Sequence, residues 1–420
     1  MQIKRDYSRP FFSSRRNSGR GQLLLGYFLF LGLLGVVVWL QFGRLQLVAL
    51  DAIGMAPTAT PFASEYASRG YEAFLAGDME EAAFLYEQAM LQQPDNLSYG
   101  YEYGRMLIEL DRAAEAIDVA DQMISVAGAA DPRGHALKAR ALVWEGDSAA
   151  AIPVAVSGLE IDSNFAPLYA ARARAYTNIG RWQQGIADGQ RATEINPMDP
   201  DAHRAYAYAL IWVGERERAI EQLEMAISLN PNFTPPYFEL ALNYLALNRD
   251  SMAIATYERV LSMEPRNERA FLRLCESYFK IGQNDQAQGY CEDALDLNPQ
   301  YAQAHRQLGM VKYNRRNYEG AIESFDACVT SGGEEIQCWY LRGLAHYYLG
   351  QCDDAWAVLE DALRQVSDTS DNPRPADDPV VSAIREGLRL TTVSCARYSG
   401  RAVPTALPPT PIPPTPIGGF

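Results

Sequence analysis

The stretch GYEAFLAGDMEEAAFLYEQAMLQQP, residues 70–94, decides the fold of this chain, because its pattern returns eight more times. It combines small residues that let two helices approach closely, an aromatic residue that fills the space beside them, a turn and a terminating proline: Gly70, Ala82, Ala89, Tyr86, Gly77-Asp78 and Pro94. A helix pair this short cannot bury its apolar face alone. The sequence therefore predicts a stack of such pairs.

Units of this pattern start near residues 63, 97, 132, 166, 200, 234, 268, 302 and 336, with steps of 34 residues and one of 35. The small residue that closes each pair recurs as Ala82, Ala116, Ala151, Gly185, Ala219, Ala253, Ala287, Ala321 and Ala355. The terminating proline recurs as Pro94, Pro197, Pro231, Pro265 and Pro299. The turn glycine recurs as Gly77, Gly146, Gly180, Gly214, Gly282 and Gly350.

This period and two-helix unit resemble the tetratricopeptide repeat (TPR) over about residues 63–369. The resemblance implies an all-α fold, a right-handed superhelical solenoid of about nine helix-turn-helix repeats. After it, residues 370–398 predict a polar linker and a capping helix, whose apolar spacing includes Val381, Ile384, Leu388 and Val393. The proline-rich residues 399–420 predict an extended disordered tail, which either is simply solvated or binds an aromatic groove of a partner.

The N-terminus predicts a membrane anchor. Residues 23–43 carry no charge, and as a helix they would span about 30 Å, the thickness of a bilayer core. Residues 1–22 contain six basic residues, which predicts a cytoplasmic N-terminus, while residues 44–62 form a linker to an extracytoplasmic body in a single-pass cell-membrane protein. A cleavable signal peptide is the alternative.

The charge of the body narrows the class of partner. The formal net charge is −15, although residues 1–44 carry seven basic residues against one acid, so the remainder is strongly acidic. Nucleic-acid binding depends on cations that neutralise phosphates, and we therefore expect no nucleic-acid partner.

All six cysteines lie at or after residue 275, without CxxC spacing. An even number in a body predicted to cross the membrane favours disulfides over a zinc site. Repeat geometry predicts the pairs Cys275–Cys291, Cys328–Cys338 and Cys352–Cys395. Free buried thiols are the alternative, since a small cysteine also suits tight helix packing.

The four histidines predict packing rather than metal binding. His135, His203 and His305 occupy equivalent positions in three different units, where other units place Tyr, Phe or Trp, and they cannot converge on one ion. His346 stands where other units place Tyr. We expect no metal and no cofactor.

The resemblance also implies a binding groove, because first helices line the concave face of TPR arrays. The second, fifth, ninth, twelfth and thirteenth positions of each unit face this groove. In units one to five they hold four arginines and several aromatic residues: Arg105, Arg140, Arg174, Arg204, Tyr71, Phe74, Tyr101, Trp144, Tyr208 and Trp212. A second aromatic cluster is predicted near the far end, with Tyr313, Tyr340, Tyr347 and Tyr348.

These side chains predict a partner-binding groove for an extended anionic protein segment, since arginine presents a planar fork to carboxylates. In the alternative, the arginines pair with Glu or Asp of neighbouring helices and only solvate the groove. The family's dicarboxylate clamp is not implied, because its Lys and Asn positions hold residues such as Ala170 and Arg174.

No nucleotide-binding, hydrolase or metalloprotease motif occurs in the sequence, and we expect no enzymatic activity. The leading hypothesis is a membrane-anchored extracytoplasmic scaffold that binds protein partners. The alternative is an accessory factor in envelope polysaccharide or peptidoglycan assembly that binds a glycan.

Overall fold

The computed structural model describes residues 61–127, 130–367 and 378–403. Within these ranges the chain forms nineteen α-helices and no strand. The first helices of the nine units are α1 (Ala63–Ala76), α3 (Leu97–Glu109), α5 (Arg133–Trp144), α7 (Ala166–Asn178), α9 (Pro200–Trp212), α11 (Pro235–Ala246), α13 (Glu268–Lys280), α15 (Ala302–Asn314) and α17 (Gln337–Tyr348). The second helices are α2 (Met79–Gln92), α4 (Ala113–Ala127), α6 (Ser148–Ile161), α8 (Trp182–Ile195), α10 (Arg216–Leu229), α12 (Asp250–Met263), α14 (Asn284–Leu297), α16 (Tyr318–Thr330) and α18 (Cys352–Ser367). A further helix, α19, covers Pro379–Ser394.

The predicted membrane helix, residues 23–43, lies outside the described residues, as does the proline-rich run from residue 404 onward. Of the helices that the structure describes, none is both long and apolar enough to cross a membrane.

The helices stack in a repeat arrangement, because each one packs against the next along the chain. The alanines of the recurring small position are completely buried in all eight units that carry one. Unit four has Gly185 instead, and a Cβ there would lie 2.3 Å from the Thr177 hydroxyl oxygen. Thr177 thus occupies the space that a methyl group fills elsewhere, and the solenoid predicted from the repeat is confirmed.

The turns inside the nine units share one backbone feature. In each, the first or second residue after the first helix has a positive φ, a conformation that favours glycine. The six predicted turn glycines are confirmed in this role. In the other three units the conformation is adopted by Asp111, Asn248 and Arg316, with φ of 57°, 55° and 62°.

Two of the histidines take over a hydrogen bond that tyrosine makes in other units. The Tyr237 hydroxyl donates to the Pro231 carbonyl at 2.7 Å, six residues earlier in the chain. His203 Nε2 lies 3.0 Å from the Pro197 carbonyl oxygen, and His305 Nε2 lies 2.9 Å from that of Pro299. These histidines therefore tie each first helix to the loop that precedes it.

The C-terminal helix α19 packs on α17 and α18 and covers the end of the solenoid. Its inward-facing residues Val381, Ile384 and Leu388 are fully buried. Val393, assigned to this apolar face by its spacing, is instead 71% exposed, because α19 ends one residue later and a short 3-10 turn, Ala396–Tyr398, follows.

The six cysteines form three disulfides, with the predicted pairing. Their Cα atoms are 5.3 Å apart in Cys275–Cys291, 6.2 Å in Cys328–Cys338 and 6.0 Å in Cys352–Cys395. All three values lie in the range of about 4.4–6.8 Å that a disulfide needs. The bonds join α13 to α14, α16 to α17, and the start of α18 to the end of the cap.

Candidate functional site: a cavity inside a closed ring

The first helix contacts a loop four units farther along the chain. The Asn232 side-chain amide donates to the Leu75 carbonyl at 2.8 Å, although 157 residues separate them. The rings of Phe74 and Phe233 are 5.8 Å apart, and Phe233 is buried in the core formed by units one to three. Residues 63–234 therefore close on themselves, and we call them the N-terminal ring.

The ring encloses a cavity of about 690 Å³. Its wall contains seven of the nine residues predicted for the partner-binding groove: Tyr71, Tyr101, Arg105, Arg140, Trp144, Arg174 and Arg204. The remaining two continue from its edge. The Arg174 guanidinium carbon lies 5.0 Å from the centre of the Tyr208 ring, and Tyr208 contacts Trp212 with ring centres 6.3 Å apart.

Asp201 is the centre of an ion network across the cavity. Its carboxylate accepts hydrogen bonds from Arg105 at 2.9 Å and from Arg140 at 2.6 Å, and it lies 3.4 Å from Arg204. Burial raises the pKa of the Asp201 carboxyl, but Arg140, Arg105 and Arg204 together outweigh burial and hold this pKa well below its usual range. Asp201 is therefore ionised at neutral pH.

Two further carboxylates complete the network. Glu109 pairs with Arg140 and, at 3.3 Å, with Arg204. Glu239 pairs with Arg204 at 2.9 Å and with Arg174 at 3.6 Å. Burial raises the pKa of the Glu239 carboxyl, but Arg204 and then Arg174 lower it by more than burial raises it. The pKa of Glu239 is therefore below its usual value.

All four predicted groove arginines are thus paired with acids, as the alternative drawn from the sequence describes. The acids lie farther along the chain than the neighbouring helices that this alternative assumed. Arg105 and Asp201 are 96 residues apart in the chain, and Arg140 and Asp201 are 61 apart. These pairs connect units two and three with unit five across the cavity, instead of joining neighbouring helices.

Arg174 is the arginine with the least compensation. Its pair with Glu239 spans 3.6 Å, whereas each of the other three arginines has a carboxylate oxygen at 2.9 Å or closer. Its guanidinium lies between the rings of Trp144, at 5.7 Å, and Tyr208, at 5.0 Å. Burial, the largest influence, lowers the pKa of Arg174, which shows that its charge is incompletely balanced. A guanidinium in this setting can accept a further carboxylate between two aromatic faces.

The sequence reasoning missed the acids of this site, although part of the signal was available. Asp201 occupies the second position of its unit and Glu109 the thirteenth, two of the positions assigned to the groove. A search of those positions for acids as well as arginines would have found both. Glu239 and Phe233 stand at other positions, and their roles follow only from the closure of the ring.

Three of the four tyrosines predicted for the second aromatic cluster are joined by ring contacts through Tyr348, and one further tyrosine belongs to the cluster. Tyr348 contacts Tyr313, at 6.1 Å between ring centres, and Tyr347, at 5.3 Å. Tyr318, which the sequence reasoning did not include, stacks on Tyr348 at 4.9 Å. Tyr340 packs against the core beneath the cap.

No arrangement of His, Cys, Asp and Glu suited to a metal ion occurs in the part of the chain that the structure describes. The site consists of guanidinium groups, carboxylates and aromatic rings.

A family profile described as tetratricopeptide repeat matches residues 73–141 and 251–308, and a second profile of the same description matches residues 234–267. The chain contains tetratricopeptide repeats. No curated protein sequence matches this TPR chain significantly.

Several solved structures resemble the TPR units. Pseudomonas aeruginosa pilF is 20% identical, with 48% of this chain and 92% of that chain covered and a TM-score of 0.42. YrrB, described as a TPR protein with an unusual peptide-binding site, is 24% identical, with 43% and 93% covered and a TM-score of 0.36. The Cut9–Hcn1 hetero-tetramer of the APC/C is 15% identical, with 81% and 74% covered and a TM-score of 0.43. At TM-scores below 0.5, these similarities carry no inference about function.

Proposed function

We propose that this TPR protein is a non-enzymatic scaffold whose N-terminal ring binds an extended segment of a protein partner. The observation that carries the proposal is the cavity of about 690 Å³, whose wall combines aromatic rings with arginines. Aromatic residues and arginine supply most of the binding energy in protein interfaces, because they offer rigid contact area and charged hydrogen bonds. A concave site of this composition suits a peptide chain.

Arg174 indicates the chemistry of that segment. Because its charge is incompletely balanced and its guanidinium lies between Trp144 and Tyr208, a carboxylate of the partner gains both an ion pair and aromatic contacts there. We therefore propose an anionic segment that enters along Trp212 and reaches Arg174.

We further propose that residues 23–43 anchor the protein in the membrane and that the TPR solenoid, with its right-handed winding, lies on the extracytoplasmic side. Two observations support this placement. The basic residues of the N-terminus precede an uncharged run of membrane length, and three disulfides close the C-terminal units. Disulfides persist mainly in oxidising compartments outside the cytosol.

Photo-crosslinking in intact cells tests the binding proposal. A crosslinking residue at position 212 is compared with one at position 182, since Trp212 and Trp182 are similarly exposed, at 53% and 43%, but lie on a first and a second helix. We expect adducts from position 212 only, with acidic peptides identified by mass spectrometry. Carbohydrate adducts would instead favour the glycan alternative.

The same experiment in an Arg174→Ala background tests the role of the guanidinium. We expect adducts from position 212 to fall about tenfold. Arg389→Ala is the control, because Arg389 forms an exposed ion pair with Glu386 within α19, outside the ring. Equal adduct yields in the two variants would contradict the proposal.

A further inference from the structure

Asp201 stands where the carboxylate of a bound partner would be expected. It extends from the first turn of α9 in unit five and meets Arg105 of unit two and Arg140 of unit three. Both guanidinium groups donate to the same carboxylate oxygen, Oδ2, and all three side chains lie on the cavity wall. An acid of the protein itself therefore occupies the position between these two arginines of the cavity wall.

The two arginines do not depend on Asp201 alone. Arg105 also pairs with Glu102 at 2.7 Å, and Arg140 also pairs with Glu109. Leaving a buried charge without a partner is the main cost of breaking a buried ion pair. Both arginines keep a second acid, and Asp201 keeps Arg204 at 3.4 Å, so none of these three charges is left without a partner when another carboxylate takes the place of Asp201.

Replacing Asp201 has a mechanical consequence. Units of a solenoid normally contact only their immediate neighbours, so contacts between units two, three and five are additional. The Asp201 pairs belong to this additional set, together with the Arg204–Glu109 pair and the contact of Asn232 with Leu75. When these additional contacts are weakened, units that are not neighbours in the chain can move apart, and the ring can open.

We propose that Asp201 is an internal competitor of the partner's carboxylate: it holds the ring closed until a carboxylate of the entering segment replaces it at Arg105 and Arg140. This inference rests on the proposed function, because it assigns regulation to the same cavity. The replacing group is a carboxylate, from either an acidic side chain or a chain terminus.

The closure is tested by a distance measurement in the purified full-length protein. Positions 72 and 228 are both exposed. Bioorthogonal spin labels attached there report the distance between α1 and α10, measured by pulsed electron paramagnetic resonance. In Asp201→Ala we expect a longer and broader distance distribution than in the wild type. Asp188→Ala is the matched control, since Asp188 pairs with Arg172 at 2.7 Å at similar burial but inside unit four.

A second variant keeps the test decisive if Asp201→Ala folds poorly. Asn232→Ala removes an exposed side chain and one hydrogen bond across the closure. We expect a smaller widening of the same distance. Unchanged distances in both variants, with normal helix content, would overturn the closure.

Binding is measured with two labelled peptides, an octaglutamate with an amidated terminus and an octaglutamine with a free one. For the wild type we expect weak binding of one of them. Asp201→Ala should bind it about tenfold more tightly, and Asp188→Ala should bind as the wild type does. The preferred peptide identifies the source of the carboxylate.

The two arms separate the two proposals. A widened distance with no binding of either peptide would contradict the proposed function and the competition, while closure by Asp201 would stand. Tighter binding without a longer distance would support the cavity as the binding site. It would contradict the proposal that Asp201 holds the ring closed.

Discussion

The N-terminal ring and the C-terminal units are closed by opposite means. The ring contains no cysteine, and its ends are joined by ion pairs, by one aromatic contact and by a hydrogen bond between residues 157 positions apart. Units seven to nine and the cap carry three disulfides over separations of 16, 10 and 43 residues. Ion pairs can exchange partners without any covalent change, whereas a disulfide opens only by reduction or by thiol exchange. This difference supports the proposal that the ring opens while the C-terminal units keep their shape.

The largest effect is expected from the disulfide that holds the cap. Cys352→Ser together with Cys395→Ser should lower the stability of α18 and α19 by about 4 kcal/mol, from the chain entropy of a loop of this length. Hydrogen exchange resolved by helix measures the loss, and helix α3 of the ring is the internal control. Equal losses in α3 and α19 would show that the two regions unfold together. They would contradict the view that the ring and the C-terminal units are stabilised separately.

Low pH should lower the stability of the ring but not that of the C-terminal units. The expected loss, on the order of 2 kcal/mol, is smaller than that from removing the disulfide. Asp201 and Glu239 have folded-state pKa values below their usual ones, so their contribution is complete above about pH 4, the unfolded value, and is lost as the pH falls through the folded value. Asp199 acts in the opposite direction, because burial and then Asp201 raise its pKa, and it offsets part of the loss.

Urea unfolding at pH 7 and pH 3, followed by pulsed hydrogen exchange, measures this difference. We expect α3, α5 and α9 to lose protection at pH 3 while α19 is little changed. In Asp201→Asn the acid-dependent loss should shrink. If α19 is the more acid-sensitive element, the charge network does not govern the stability of the ring.

The parts of the fold that depend on local sequence were predictable. Helix bounds follow from a 34-residue period, and each disulfide joins elements that are adjacent in the stack, so the repeat alone brought Cys275 to Cys291. Closure of the ring was not predictable in this way. It depends on a small rotation between units that accumulates over five of them, and this sum decides whether Asp201 meets Arg105. The same limit applies to the cavity, because an open groove and a closed ring have the same residues at the same unit positions. The membrane anchor and the location of the body stay predictions.

The smallest effect concerns the turns, where the two regions again differ. Arg316 in unit eight adopts a positive φ of 62°, which costs a non-glycine residue roughly 1 kcal/mol. Arg316→Gly should therefore raise the stability of unit eight by about 1 kcal/mol.

Asp111 in unit two has the same backbone conformation, but its carboxylate accepts a hydrogen bond from the Trp144 indole at 3.2 Å. Asp111→Gly relieves the backbone and loses this contact, so we expect no gain. Urea midpoints of the two variants measure the difference, and an equal gain in both would mean that the Trp144 contact adds nothing to the ring.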